Sequence, residues 1–312
     1  MKLLTLMFLI LSGCILTHSQ ISLSYAGMGL DLWFQKMIPS LLPFMILSGI
    51  MVRMKVTDKA AMIIYPIVKP IYQVQKNVCY AMLIGFLCGF PMGAKVVDDL
   101  YIRGRINRRE AEYLLAFCNN IGPVYFCSFV LPLLGRKLIF PYLFGMYGIP
   151  LLYGLVLRYT TFRDLDFLPE AAPDLISCQI HTGQLSFAER LLNATDDAIH
   201  SSVQSILSLG GYMILYNLLN LIPHILLGHP LLLLSPLLEI TGGLKMLGDT
   251  FPLYSLLALS FGGLSCIAQT YNCIGNSDLA IGSYIRHKLI LTLLNALFYL
   301  VWFLGFPISF LR

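Results

Sequence analysis

The stretch GFLCGFPMGAK, residues 85–95, decides the fold. It sets three glycines, one proline and a lysine inside a segment otherwise apolar enough to sit in lipid. Gly85, Gly89 and Gly93 each lower helix propensity by roughly 1 kcal/mol and Pro91 by roughly 3 kcal/mol, so the backbone is expected to open around residues 90–92. In hydrocarbon an opened backbone must be buried in protein or line a wet cavity, because each unsatisfied amide costs several kcal/mol. The stretch is therefore a candidate site, and its alternative is a glycine-kinked helix packed on a neighbour. Lys95 favours the site, since an ammonium at membrane depth is expensive and marks a pathway or a paired charge.

The rest of the chain fits a membrane. Of its 312 residues 57% are hydrophobic and 12% charged, and the mean hydropathy of +0.76 excludes an ordinary soluble domain. About eight to ten spanning or re-entrant segments fit in this length. The net charge is +5, and the cluster Arg103, Arg105, Arg108 and Arg109 suits a cytoplasmic loop better than a nucleic-acid surface. The eight cysteines are scattered without CxxC spacing or accompanying histidines, which implies neither a zinc site nor a disulfide framework. No cofactor, metal or nucleic-acid partner is expected. A bilayer is, and a homo-oligomer is compatible with the sequence.

Working outward, residues 1–30 read as an N-terminal helix or signal anchor, with Leu11-Ser12-Gly13-Cys14 resembling a lipoprotein cleavage box; an uncleaved helix is preferred. Residues 31–157 form a first membrane repeat. In it, residues 33–52 are interrupted by Pro39, Pro43 and Gly49 and read as a broken or hairpin segment, and residues 60–74 as an interfacial or re-entrant piece. CNNIGP, residues 118–123, sets Asn119 and Asn120 against a Gly-Pro break, where their amides could bond opened backbone, a substrate or another helix. Residues 158–200 hold seven acidic residues against three arginines and read as a soluble linker with a short amphipathic helix over 186–199. A second membrane repeat follows over 201–312, where Glu239 stands in an apolar run just before Thr241 and two glycines. Its alternative role is a structural pair with Lys245 or another lysine.

The halves carry a faint internal repeat. CGFPMGAKV (88–96) lies over GGLSCIAQT (262–270), with Gly89 over Gly263 and Lys95 over Gln269, and IPSLLPF (38–44) lies over VQSILSL (203–209). If the halves are inverted in the membrane, this register predicts that loop 103–109 and loop 275–283 face opposite sides. Paired backbone breaks in two halves point to a transporter site near the bilayer midplane.

The motifs IPSLLPF, GFPMGAK (89–95), REAEYLLAFCNNIGP (109–123), LLEITGG (237–243) and GGLSCIAQ (262–269) together resemble the sporulation integral membrane proteins of the YlbJ type, within the group carrying the nucleoside-recognition, or Gate, domain. That resemblance implies an all-α fold of two inverted repeats with broken or re-entrant helices, a sporulating host, and movement of a small organic anion such as dipicolinate across a cell or forespore membrane. The expected binding set is Gly89, Pro91, Gly93, Lys95, Asn119, Asn120, Thr241, Ser265 and Gln269, with Glu239 as the coupling group or as a holder of Lys95. A nucleoside or other neutral-solute carrier, using Glu239 more than Lys95, is the alternative within transport. A non-transporting membrane scaffold is the alternative outside it. An enzyme is not expected, because no HExxH, CxxC or Ser-His-Asp-like constellation is present.

Overall fold

The computed structural model describes residues 2–54, 56–165, 186–275 and 277–305, and nearly all of them are helical. Each half runs through the same four elements. The first half has a long span (Ser19–Arg53), a helical hairpin (Lys76–Cys88 and Met92–Ile102), a span broken in the middle (Arg108–Phe117 and Pro123–Leu134) and a closing span (Arg136–Tyr159). The second half repeats the order with Phe187–Leu227, the hairpin Ser235–Leu238 and Ile240–Leu247, the broken span Pro252–Phe261 and Gly263–Ile274, and the closing span Ile281–Gly305. With the N-terminal helix Lys2–Thr17, this is an all-α polytopic membrane protein.

The elements start where the sequence supplies caps. Asn107 accepts from the amide of Glu110 while Glu110 accepts from the amide of Asn107, which fixes the start of the first broken span. Ser186 and Glu189 make the same reciprocal pair ahead of Phe187. The helix begun there does not stop near residue 199; it runs 32 residues to Leu218, about 48 Å at 1.5 Å per residue. The boundary expected at 200/201 therefore falls inside one continuous helix, which carries its polar first turns out of a hydrocarbon layer about 30 Å thick. The remaining linker stretch, 166–185, lies outside the described residues. The break expected within 33–52 is also absent: Pro39 and Pro43 are absorbed in a continuous helix that loosens to a π turn over Trp33–Met37.

Contacts at one end of the bundle fix the topology. Gln75 donates to Glu110 at 2.7 Å, Thr57 donates to Asn77, which donates in turn to the carbonyl of Arg105, and Arg109 donates to the carbonyl of Thr161. Buried Arg158 ties the end of its span to the carbonyls of Tyr72 and Phe162. Arg53 reaches the carbonyl of Asp197, and Asp278 accepts from Tyr101 at 2.7 Å and from Arg108 at 3.1 Å. The Tyr101 hydroxyl, with the Arg108 guanidinium beyond it, holds the Asp278 carboxyl below its usual range. Both ends of the first hairpin thus lie on this arginine-rich side, with the end of the first long span and the start of the second. By alternation, residues 228–234 and 248–251 lie on the other side, where Tyr254 bonds the carbonyl of Leu233. The first hairpin enters from the arginine-rich side and the second from the opposite side, which makes the halves inverted repeats.

This corrects the register read from the sequence. The hairpin at Gly89 corresponds by order to the hairpin at Glu239, and the break at 118–122 corresponds to Gly262 and Gly263. The loop around Ser277 and Asp278 consequently shares the side of loop 103–109 and does not oppose it. Glycine marks both kinds of break, so matching glycines paired a hairpin tip with a broken span.

On a cysteine-free background, single cysteines at Gly104 and Asp278 should label from the cytoplasmic face, as expected for the arginine-rich side, and one at Asp249 only from the other. Labelling of Asp249 together with Gly104 would refute the inverted topology.

Candidate functional site

The legs of the first hairpin touch closely enough that a Cβ on Gly93 would lie 3.2 Å from the Cα of Gly85. Its tip, residues 89–91, packs on the break of the first broken span. Gly89 and Ile121 form an isolated antiparallel bridge, and the amide of Phe90 donates to the carbonyl of Asn120 at 2.7 Å. The backbones cross so tightly that a Cβ on Gly89 would lie 2.2 Å from the amide nitrogen of Gly122, and the φ of +76° at Gly89 is itself one that side chains resist. Pro91 supplies the turn into Met92–Ile102.

The second hairpin is built by a carboxylate. Glu239 accepts from the amides of Thr241 at 3.1 Å and Gly242 at 2.6 Å, and from the Asn217 side chain at 3.0 Å, so it caps the N-terminus of Ile240–Leu247 while only 1% exposed. The expected lysine partners are not there: Glu239 is satisfied by amides and pairs with neither Lys95 nor Lys245. This tip lies against Gly263, where a Cβ would meet the carbonyl of Pro236 at 3.0 Å and the amide of Ile240 at 3.3 Å.

The two crossings meet. Phe90 lays its ring on Gly262, 3.3 Å from where a Cβ would stand, and the Tyr125 hydroxyl donates to Thr241 at 3.2 Å. Asn119 donates to the hydroxyls of Thr270 at 2.9 Å and Tyr284 at 3.3 Å, and Asn120 turns back onto the carbonyl of Phe117. Between the crossings runs a narrow, mostly apolar cavity whose polar wall is Tyr125, Glu239, Thr241 and Gln269, with Phe90 and Cys266 alongside.

Of the residues singled out in the sequence, Glu239, Thr241 and Gln269 line this cavity. Ser265 accepts from Gln269 at 3.1 Å and orients it. Gly89, Pro91, Gly93, Asn119 and Asn120 shape the crossing around it. Lys95 is half-buried on the Met92–Ile102 leg, near enough to Asp98 for their charges to interact, and is not among the cavity-lining residues. Lys288 is not among the residues singled out in the sequence. It is 3% exposed, donates to the carbonyl of Asn119 at 3.3 Å and stands 5.5 Å from the centre of the Phe90 ring. A stripe was there to be read: Tyr284, Lys288, Leu291, Asn295 and Tyr299 recur at helical spacing and form the buried face of the closing span.

Gly89→Ala should destabilise the protein by at least about 2 kcal/mol in thermal unfolding, since the added methyl meets backbone and the φ is unfavourable. Gly282→Ala, at a helical position with open space around it, should be neutral or stabilising by less than about 1 kcal/mol. Equal stability of Gly89→Ala and wild type would contradict the crossing.

No family model matches the chain, and no solved structure matches it. Among curated proteins it is similar to the sporulation integral membrane protein YlbJ of Bacillus subtilis (strain 168), 27% identical over 337 aligned positions that cover 95% of this chain and 81% of the relative. The likeness runs through both repeats and both crossings, and it supports an integral membrane protein of the YlbJ type.

Proposed function

We propose that the protein is a secondary transporter that moves a small organic anion, dipicolinate in the first instance, across a cell or forespore membrane during spore formation. One observation carries this reading: two re-entrant hairpins enter from opposite sides and end, beside two broken spans, on a common cavity. Paired breaks of this kind are the form in which transporters place a midplane site, and a scaffold has no need of them. The name of the similar protein supports the link to sporulation.

The chemistry of the cavity favours an aromatic anion over a neutral solute. Its walls are apolar and aromatic, suited to a ring, and Gln269 keeps a second amide N–H beyond the one it gives Ser265. The helix beginning at Met92 has no side-chain cap and points its positive end at the crossing. The equivalent end in the second half is already neutralised by Glu239. Glu239 is engaged with three donors of its own half, which leaves it less to offer nucleoside hydroxyls than a neutral-solute carrier would require.

Proteoliposomes holding the purified chain should take up labelled dipicolinate, with unlabelled dipicolinate competing and uridine not. Gln269→Leu should weaken binding by roughly tenfold or more, the effect of losing one hydrogen bond to a charged group. Uptake of uridine without dipicolinate would overturn the reading in favour of a neutral solute, and uptake of neither would favour a scaffold.

A further inference from the structure

Lys288 carries a charge into the interior without a carboxylate to meet it. Among the described residues no ion pair involves it; its contacts are the Asn119 carbonyl and the Phe90 ring face. An isolated ammonium at membrane depth is costly, so something must balance it. The balance is the end of a half-helix. Arg108–Phe117 stops at the break, and its C-terminal carbonyls present a partial negative charge towards the closing span. The aromatic face of Phe90 adds a second attraction. The side-chain oxygen of Asn119 is also buried with no donor, facing Gly93 on the hairpin.

Unwound carbonyls and half-helix C-termini are where membrane transporters hold alkali cations. We propose that the Lys288 ammonium is a tethered counter-cation: it occupies the cation position at this helix break, so the native protein needs no bound alkali ion there, and removing the lysine leaves a position that Na+ can fill. The titratable groups facing it are Cys266 from the second broken span and Tyr284 one turn earlier on its own helix, with Glu239 beyond Cys266. The inference rests on the geometry of the break and not on the identity of the transported solute.

The test is thermal unfolding of the purified full-length chain in detergent, in NaCl and in choline chloride at equal ionic strength. Wild type should melt within about 1 °C in the two salts. Lys288→Ala should melt roughly 3 °C or more lower in choline, the shift expected from losing about 2 kcal/mol in a chain of this size, and should recover at least half of that loss in NaCl. Lys288→Met, which keeps an apolar stem against Phe90, should behave the same way with a smaller loss. A dependence of wild type on Na+ would show that the position is not already filled and overturn the proposal. So would variants as stable as wild type in choline, or variants equally impaired in both salts, including failure to yield folded protein in either. A protein that transports no dipicolinate can still pass this test, and one that transports it can fail.

Discussion

Lipid offers no partner to a broken helix, and the architecture follows from how this chain meets that constraint. The opened backbone at Gly89 and Phe90 is satisfied by the opened backbone at 120–121, with the Phe90 amide on the Asn120 carbonyl at 2.7 Å. Each break completes the other, so neither hairpin nor broken span is stable alone at that depth. Glycine is required where they cross because any Cβ at Gly89 would occupy the place of the partner's backbone.

The second half solves the same problem differently. Its hairpin tip has a carboxylate in place of a backbone partner, with Glu239 collecting two amides and the Asn217 side chain. The inverted repeats are therefore alike in path and unlike in charge: one helix N-terminus at the centre is open and the other is neutralised. Lys288 stands against the Phe90 ring and donates to the Asn119 carbonyl behind it. The difference in charge arises from the two hairpin sequences and not from the path they share.

Much of this was legible in the sequence. The glycines and Pro91 of 85–95 announced an opened helix, CNNIGP announced a second, and the composition announced the membrane. The register of the repeat was not legible, because glycine serves both as a hairpin tip and as a broken-span hinge, and identity between halves is too low to tell them apart. Lys95 drew attention by standing next to the break, yet it is not among the residues that line the cavity. Lys288 was hidden by its neighbours: beside Arg286 and His287 it looks like a loop charge, and only the four-residue spacing to Tyr284 places it on the buried face. The run of helix from Phe187 through residue 200 was obscured by acidic residues that a long helix can carry in water before it reaches lipid.

The central claim is that elements entering from opposite sides of the membrane meet at one place. Cross-linking of cysteine pairs by a short bifunctional thiol reagent in native membranes, on a cysteine-free background, tests it most directly. Tyr125→Cys paired with Thr241→Cys joins the first broken span to the tip of the opposing hairpin, whose native hydroxyls are 3.2 Å apart; the shorter cysteine side chains stand too far apart for a direct disulfide and within reach of such a reagent. This pair should cross-link, while Arg103→Cys paired with Asp249→Cys, on opposite faces, should not. Absence of the first cross-link in a folded protein, or appearance of the second, would contradict the account.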